Sequence, residues 1–250
     1  MSYRSFDEAP LTGYTTAFYP TTLMLNDVAA LQYLYGANTN YNSGNNEYSW
    51  GSGDHVYETI WDSGGNDTIN ASNQREGATI DLREGHWNSI GRAFYNGQRS
   101  VRDNLVIAYD TVIENAIGSR YSDTLIGNEF ANLISGGNGN DTLTGGGGRD
   151  TFRFATTSEG GDEITDFASG TDRIEVVSRN FGNLSTGTLA SNYFQTGTIA
   201  TNSGPVFLYD NTTGALSFDQ DGRNSAAPIQ IARLSDNRAL TFSDIQVAAA

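Results

Sequence analysis

The sequence contains no cysteine and no lysine, and only 2 histidines occur in 250 residues. Without cysteine, disulfide frameworks, cysteine-ligated zinc and thiol catalysis are excluded. The 14 basic residues, all of them arginine, stand against 29 acidic residues, which gives a formal net charge of −15. A chain of this charge repels nucleic acids and anionic membrane surfaces. No apolar run approaches the roughly 18 to 20 residues of a membrane span. We therefore expect no nucleic-acid partner and no membrane span.

Glycine and aspartate are the abundant residue types. The chain has 29 glycines, and aspartate outnumbers glutamate 19 to 10. Collagen is excluded, because only 4 prolines occur and the Gly-X-Y period is missing. Aspartate combined with glycine is typical of turns that present hard oxygen ligands. The composition therefore favours turns that bind calcium.

One helix and many short strands are predicted. Apolar side chains between Leu25 and Leu34 recur at a spacing near 3.6, and Gly36 is placed to end the helix. Asp27 near the start suits the helix dipole. Strands separated by turns are predicted at 48–50, 55–57, 78–82, 105–107, 173–177, 205–209, 216–218 and 229–232. The last of these predict a β-sandwich that closes the chain.

Residues 118–153 form an internal repeat of nine residues. The copies that begin at Gly136 and Gly145 match G-G-x-G-x-D-x-U-x at every position. The copies that begin at Gly118 and Gly127 are degraded, but they keep a glycine, an Asp or Asn, and the apolar residue. Each copy supplies a turn of six residues and a strand of three, so two copies complete one coil. This pattern is a signature of calcium-binding parallel β-rolls.

Stacked coils bring residues eighteen positions apart into register. Asp123 then lies above Asp141 and Asn132 above Asp150, and each pair flanks a gap lined by turn carbonyls. Calcium takes about 6–8 oxygen ligands, which such a gap supplies. Without the ion, the carboxylates repel each other, and a core one residue thick cannot offset the entropy of ordering. We expect calcium binding and folding to be coupled.

Motifs on both sides of the repeats carry a family resemblance. They are residues 25–38, 61–68, 112–118 and 164–174, together with Met1-Ser2-Tyr3 at the start. They resemble the C-terminal region of a serralysin-type secreted zinc metalloprotease, an RTX-repeat family within the metzincins. The resemblance implies an all-β fold: a calcium-bound parallel β-roll of RTX nonapeptide repeats, a β-sandwich-like cap and a short N-terminal helix. It also implies two parts, a remnant of the catalytic domain at 1–36 and the roll and sandwich domain at 37–250.

The resemblance implies calcium ligands residue by residue. In each roll turn, the second and fourth residues offer carbonyls and the sixth offers its side chain. The perfect turns give Gly137, Gly139, Asp141, Gly146, Gly148 and Asp150, and the degraded turns give Ser119, Tyr121, Asp123, Asn128, Phe130 and Asn132. A site before the roll is implied at Asn42, Gly44, Asn46, Asp62, Gly64 and Asp67, and its neighbour at Gly65, Glu114 and the Val112 carbonyl. Asp166 and Asp172 are weaker candidates at the roll exit.

The zinc motif of that family, HExxHxxGxxH, does not occur in this sequence. Only His55 and His86 are present, and catalytic zinc needs three protein ligands and an open position. We therefore expect no catalytic residue and no peptide hydrolysis by this chain alone. Zn²⁺ belongs to the intact parent protease, with Tyr3 as the sole remaining candidate ligand here. The chain resembles a truncated product, a fragment, or one piece of a split protein.

The resemblance implies a function in calcium-dependent folding, stability and type I secretion. The secretion signal would be the C-terminal segment 243–250, and the expected location is extracellular. The expected partners are calcium ions and the type I secretion machinery, and a monomer is expected. Two alternatives stay open. The chain is part of an active zinc metalloendopeptidase completed by an upstream or separate chain, or it is an extracellular adhesion or glycan-binding β-roll module.

Overall fold

A computed structural model describes residues 20–95, 100–235 and 238–249. The described part has one α-helix, α1 (Leu25–Tyr35), and short 3-10 helices at Ser178–Asn180, Ser191–Tyr193 and Phe242–Asp244. Its strands are β1 (Glu47–Ser49), β2 (Glu58–Ile60), β3 (Thr68–Asn70), β4 (Thr79–Asp81), β5 (Trp87–Asn88), β6 (Phe94–Tyr95), β7 (Ser100–Val101), β8 (Leu105–Ile107), β9 (Asn115–Ile117), β10 (Thr124–Ile126), β11 (Leu133–Ser135), β12 (Thr142–Thr144), β13 (Thr151–Phe154), β14 (Asp162–Ile164), β15 (Arg173–Val177), β16 (Gly187–Thr188), β17 (Phe194–Thr196), β18 (Val206–Asp210), β19 (Ala215–Asp219), β20 (Ile229–Leu234) and β21 (Ile245–Ala248). The predicted all-β parallel roll with one short helix is confirmed. Met1-Ser2-Tyr3 lies outside the described residues.

The predicted helix is confirmed, and its surroundings are unusual. α1 ends at Gly36, which has φ +81° and donates its N–H to the Gln32 carbonyl at 2.8 Å. None of its residues is buried, and the side chains of Tyr33 and Tyr35 are 90% and 82% exposed. The helix therefore lies on the surface of the described structure with much of its apolar surface in contact with water.

Two eight-stranded sheets run the length of the molecule. The first sheet has the order β1-β3-β9-β11-β13-β15-β21-β16, and the second has the order β17-β18-β19-β20-β14-β12-β10-β4. In the repeat region β10 pairs in parallel with β12, with Leu125 opposite Leu143. β11 likewise pairs with β13, with Ile134 opposite Phe152. These partners are eighteen residues apart, so the predicted coil and its register are confirmed.

The core between the two sheets is thin. In β10, β11 and β12 the middle residue points inward and its two neighbours are partly exposed, as the alternation of a pleated strand requires. The inward residues are Ile69, Ala116, Ile134, Phe152, Ile174 and Ile245 from the first sheet, and Ile80, Leu125, Leu143 and Ile164 from the second. All of them are 0% exposed, so each coil contributes little more than two side chains to the core.

The predicted sandwich at the end of the chain continues the roll. β15 pairs in parallel with β21 and β14 with β20, so both roll sheets extend into the cap without interruption. The antiparallel strands β18, β19 and β20 extend the second sheet, and β17 forms its edge in parallel with β18. The rings of Phe181, Phe207 and Phe218 pack with centroids 5.0 to 5.9 Å apart and thicken the core there. The cap therefore closes one open end of the roll with a larger hydrophobic core.

One predicted strand is wrong. Residues 55–57 are irregular, and the strand begins at Glu58. Its limits are set by its parallel partner β8, because Glu58, Thr59 and Ile60 lie opposite Leu105, Val106 and Ile107. Val56 and Tyr57 are nevertheless buried, so their apolar character reports packing outside a sheet.

Replacing Leu143 by alanine tests the thin core. Leu143 is fully buried between the sheets, so Leu143→Ala should lower the free energy of unfolding by about 2–5 kcal/mol. Thr142→Ala is the matched control on the outer face of the same strand and should cost about 1 kcal/mol or less. Urea unfolding measures both values, and equal costs would contradict a core of one inward residue per strand.

Candidate metal centre: two ladders of acidic side chains

The residues that precede the strands of the second sheet form a ladder of carboxylates. Asp123 precedes β10, Asp141 precedes β12, and Asp162 begins β14. The backbone N–H of Asp123 donates to Asp141 Oδ1 at 2.8 Å, and that of Asp141 donates to Asp162 Oδ1 at 3.0 Å. The N–H of Ala78 donates to Asp123 at 2.5 Å and ends the ladder at β4. We call these three aspartates the second-sheet ladder.

A longer ladder follows the first sheet. The register places one acid or amide before each of six neighbouring strands, namely Asn46, Asp67, Glu114, Asn132, Asp150 and Asp172. Asn132 donates its N–H to Asp150 Oδ1 at 2.9 Å, and Asp150 donates to Asp172 Oδ1 at 3.1 Å. The N–H of Asp67 reaches Glu114 Oε2 at 2.7 Å in the same way. These six residues are the first-sheet ladder, and stacking of the coils is what aligns them.

Glycine in the perfect turns is required by close approach as well as by backbone angle. Gly137 and Gly139 have φ of +87° and +143°. A Cβ on Gly137 would collide with the Ser119 carbonyl of the neighbouring coil, and a Cβ on Gly139 would lie 2.7 Å from the Tyr121 carbonyl and 2.9 Å from Asp141 Oδ1. Carbonyl and carboxylate oxygens of two coils therefore converge on this turn.

The second perfect turn repeats this arrangement against the other degraded turn. Gly146 and Gly148 have φ of +90° and +89°. A side chain on either would collide with the backbone of Asn128 or Phe130. The predicted pairing of perfect with degraded turns in neighbouring coils is therefore present on both sides of the roll.

The degraded turns have a different backbone from the perfect ones. Ser119, Tyr121, Asn128 and Phe130 are not among the described residues with positive φ. Their own side chains hold the turns instead. Ser119 Oγ donates to Asp123 at 3.0 Å and accepts the Tyr121 N–H at 3.1 Å. Asn128 Oδ1 accepts the Phe130 N–H at 3.0 Å. Polar side chains thus replace the glycine conformation at these two turns.

Three ladder carboxylates each leave one oxygen without a partner. Asp67 Oδ2, Asp141 Oδ2 and Asp162 Oδ2 are buried and accept no hydrogen bond. Leaving a buried charged acceptor unsatisfied costs about 1–3 kcal/mol or more. A divalent cation bound by oxygen ligands would satisfy these atoms, so the donor set fits calcium.

The electrostatics of the second-sheet ladder support the same reading. Burial raises the pKa of Asp141 to about 7, and repulsion from Asp123 and Glu159 adds to the shift. Burial, with repulsion from Asp141 and Glu159, raises the pKa of Asp162 to about 8. Burial also raises the pKa of Glu159 to about 7. Without a cation, these carboxylates therefore resist ionisation.

Carboxyls of the first-sheet ladder also have raised pKa values. Burial raises the pKa of Asp150 to about 6, and the charges of Asp172 and Asp166 raise it further. Burial likewise raises the pKa of Asp67 to about 6, with Asp62 and Glu114 contributing repulsion. Asp166 accepts the N–H groups of Gly145 and Gly146, each at 2.8 Å, and so caps the second perfect turn.

Several residues predicted for a site before the roll lie close to Asn46 or Asp62. One of the two terminal atoms of the Asn46 side-chain amide, nitrogen or oxygen, lies 2.6 Å from the Gly44 carbonyl oxygen and 3.1 Å from the Asn42 carbonyl oxygen. The amide nitrogen donates to both carbonyls there, or the amide oxygen joins them around a cation. Asp62 accepts the Gly64 N–H at 2.8 Å and the Tyr48 hydroxyl at 2.6 Å.

The neighbouring predicted site involves Gly65, Glu114 and Val112. A Cβ on Gly65 would collide with the Gly44 carbonyl. Val112 lies in the connection before β9, two residues from Glu114.

The described residues contain no cluster of three or more His, Cys, Asp and Glu side chains suited to a metal. Such a cluster is not what a roll turn offers, because each turn contributes one carboxylate and several backbone carbonyls. His86 Nδ1 lies 3.2 Å from Asp81 Oδ2, which is not one of the ladder carboxylates.

Comparison with known protein families gives a match over most of the chain. Residues 27–212 match the family described as Peptidase M10 serralysin C terminal. The chain belongs to this serralysin C-terminal family. Within the described residues, no helix of this serralysin C-terminal chain is long and apolar enough to cross a membrane.

Serralysins of several bacteria resemble the chain. It is 39% identical over 183 residues to metallopeptidase AprA of Pseudomonas marginalis, and the aligned region covers 63% of this chain and 37% of that protein. It is 34% identical over 137 residues to a serralysin of Proteus mirabilis, covering 50% of this chain and 26% of that protein. Serralysin C of Dickeya chrysanthemi is 36% identical over 114 residues, covering 41% of this chain and 22% of that protein. The chain therefore matches only 22% to 37% of the length of these relatives.

Two acidic residues of this serralysin C-terminal chain escaped the sequence analysis. Asp162 and Glu159 both lie beside Asp141. Their coil is longer than the eighteen-residue coils of the repeats, because Thr142 pairs with Glu163, 21 residues on, and the nine-residue spacing is lost. The shorter pattern Asp-x-apolar survives in Asp162-Glu163-Ile164 and would have identified the ladder position.

The raised pKa values predict an unusual pH dependence in the presence of chelator. A carboxyl whose pKa is raised on folding binds its proton more tightly in the folded state. Its stabilising contribution is therefore present at low pH and is lost as pH rises from about 4, the unfolded value, to the folded value. The upper limit of this window is about 8, the pKa of Asp162. The chelated protein should therefore retain more β structure at pH 5 than at pH 8, as measured by far-UV circular dichroism.

Asp162→Asn should raise the stability of the chelated protein at pH 8 and flatten the pH dependence. Asn keeps the acceptor for the Asp141 N–H and removes the repelling charge. Asp210→Asn is the matched control, because hydrogen bonds from Thr212 lower the pKa of that exposed carboxyl. The control changes net charge equally and should not stabilise. Stabilisation of equal size in both variants would show that only net charge matters.

Proposed function

We propose that the chain is a calcium-binding folding and secretion module of a serralysin-like metallopeptidase, and that it is not catalytic by itself. The observation that carries the proposal is the pair of ladders, in which buried carboxylates repel one another and three of them leave an oxygen without a partner. Calcium supplies the positive charge that neutralises such stacked carboxylates.

The residues that would hold calcium follow from the converging turns. In the second-sheet ladder they are the side chains of Asp123, Asp141 and Asp162, with the carbonyls of Ser119, Tyr121, Gly137 and Gly139. In the first-sheet ladder they are Asn132, Asp150 and Asp172, with the carbonyls of Asn128, Phe130, Gly146 and Gly148. The site before the roll would use Asp62, Asp67 and Glu114 with the Asn42, Gly44 and Asn46 oxygens.

The proposed module folds where calcium is abundant, outside the cell. Sites of extracellular modules bind at about 10⁻⁴–10⁻³ M. Each site filled to about 100 times its dissociation constant adds about 2.7 kcal/mol. Two or three such sites decide folding for a roll whose coils each bury about two core side chains. We propose that the chain leaves the cell unfolded through type I secretion machinery, with its C-terminal segment as the signal.

A second candidate function is part of an active zinc metallopeptidase. The supporting observation is α1, whose residues Leu31 and Tyr35 are exposed and border a groove of about 620 Å³ against β2. In this proposal a catalytic part with the zinc histidines covers that surface. The chain supplies only His55 and His86, so the zinc site would come from the other part.

Calcium should order the chain. Far-UV circular dichroism should gain β signal when about millimolar calcium is added to the chelated protein, and lose it again with excess chelator. Magnesium at the same concentration should not substitute, because it demands near-ideal octahedral geometry and retains its water. Spectra that do not differ between calcium and chelator would overturn the proposed function.

Alanine substitutions at Asp141 and at Asp123 should affect calcium affinity and metal-free stability to different degrees. Asp141→Ala removes a carboxylate with an unpartnered oxygen, so it should raise the calcium midpoint more than Asp123→Ala does. Asp123 accepts hydrogen bonds from Ala78 and Ser119, so Asp123→Ala should cost more stability in chelator. Calcium titration followed by circular dichroism measures the first quantity, and urea unfolding in chelator at pH 5, where the carboxyls with raised pKa values are protonated, measures the second. The same ranking in both experiments would contradict the assignment.

A further inference from the structure

The C-terminal strand is built into the interior of the first sheet. β21 pairs in parallel with β15 on one side and antiparallel with β16 on the other. Ile245 and Val247 are buried in the core. The last described residues of the chain are therefore paired on both sides, as those of a central strand are.

Asp244 fixes the start of this strand to a distant loop. It is 3% exposed, and its Oδ2 accepts the Ser169 hydroxyl at 2.7 Å and the Thr241 N–H and hydroxyl at 2.8 and 2.9 Å. Its Oδ1 accepts the Gly170 N–H at 2.9 Å. Burial alone would raise the pKa of Asp244, but these hydrogen bonds, led by that of Ser169, lower it below its ordinary value.

The loop that Asp244 holds is the end of the first-sheet ladder. Asp172 Oδ2 accepts the Ala168 N–H at 2.8 Å, and the Asp172 N–H returns to the Ala168 carbonyl at 2.8 Å. Asp172 Oδ1 accepts the Asp150 N–H. Two carboxylates thus hold the loop 168–172 from opposite sides, one belonging to the ladder and one to the C-terminal strand.

We propose that Asp244 is a latch that couples docking of the C-terminal strand to order in the first-sheet ladder. Ligand bound at Asp150 and Asp172 fixes the loop 168–172, and the fixed loop presents Ser169 and Gly170 to Asp244. Calcium binding then protects the C-terminal strand, and docking of that strand raises calcium affinity in return. This inference rests on the proposed calcium function. Asp244 acts as a positioning residue, because it contacts the loop and no ladder oxygen.

The test is amide hydrogen exchange of β21 in the full chain, with and without calcium. In the chain without substitutions, calcium should slow amide exchange of both the roll strands and β21. Asp244→Asn should speed exchange of β21 in calcium by about tenfold or more, since a hydrogen bond to a charged group is replaced by an amide nitrogen that faces the Thr241 N–H. The calcium midpoint of the roll strands should rise by about two- to threefold.

Two further variants make the test specific. Ser169→Ala removes one donor to Asp244 from the loop side and should accelerate β21 in the same direction by a smaller factor, which decides the question if Asp244→Asn does not fold. Asp210→Asn is the control, because that carboxylate also accepts bonds from threonines but lies in the β18–β19 turn. It should leave β21 unchanged.

The outcomes distinguish the latch from the calcium function. If calcium protects the unsubstituted chain but β21 exchange is unchanged in Asp244→Asn and Ser169→Ala, the latch is overturned and the calcium function stands. If exchange in the unsubstituted chain does not depend on calcium, both the calcium function and the coupling are overturned. Accelerated β21 exchange together with an unchanged calcium midpoint also overturns the coupling.

Discussion

The hydrogen bond from a backbone N–H of one coil to the carboxylate of the next coil is the interaction on which the rest of this structure depends. It places Asp141 directly over Asp123, and Asp162 over Asp141. The core beneath contains one side chain per strand, so it cannot offset the cost of bringing these charges together. The same bond that joins neighbouring coils therefore brings their carboxylates into mutual repulsion, which a cation would relieve under the proposed function.

The ladder tolerates large changes in coil length. Asp141 follows Asp123 by eighteen residues, whereas Glu163 lies opposite Thr142 after 21. Extra residues are accommodated in the turn, and the short Asp-x-apolar unit keeps its register because the apolar residue must still enter the core. Continuation of both sheets into the cap follows from this tolerance. A strand that offers an inward side chain and a free edge is added to the stack whether or not it belongs to a nine-residue repeat.

Sequence reasoning identified the roll where spacing is regular and failed where it is not. The perfect repeats at Gly136 and Gly145 predicted sheet, register and stacked acids, because the period itself encodes the coil. Asp162 was missed because its coil is longer. The 55–57 strand was wrong because its limits depend on pairing with β8, 47 residues away, which no local pattern contains. The conformation of the degraded turns could not be read either, since Ser119 and Asn128 substitute side-chain bonds for glycine geometry.

The parallel pairing of β21 with β15 has a mechanical consequence. A force that pulls on the C-terminal end of β21 acts along the strand, so all the hydrogen bonds to β15 bear the load in shear at the same time. An antiparallel hairpin such as β18–β19, pulled at its two ends, opens one bond after another under a smaller force. Traction on the end of the chain is therefore resisted by the whole four-residue pairing from Ile174 to Val177, and extraction begins only when that pairing fails as a unit.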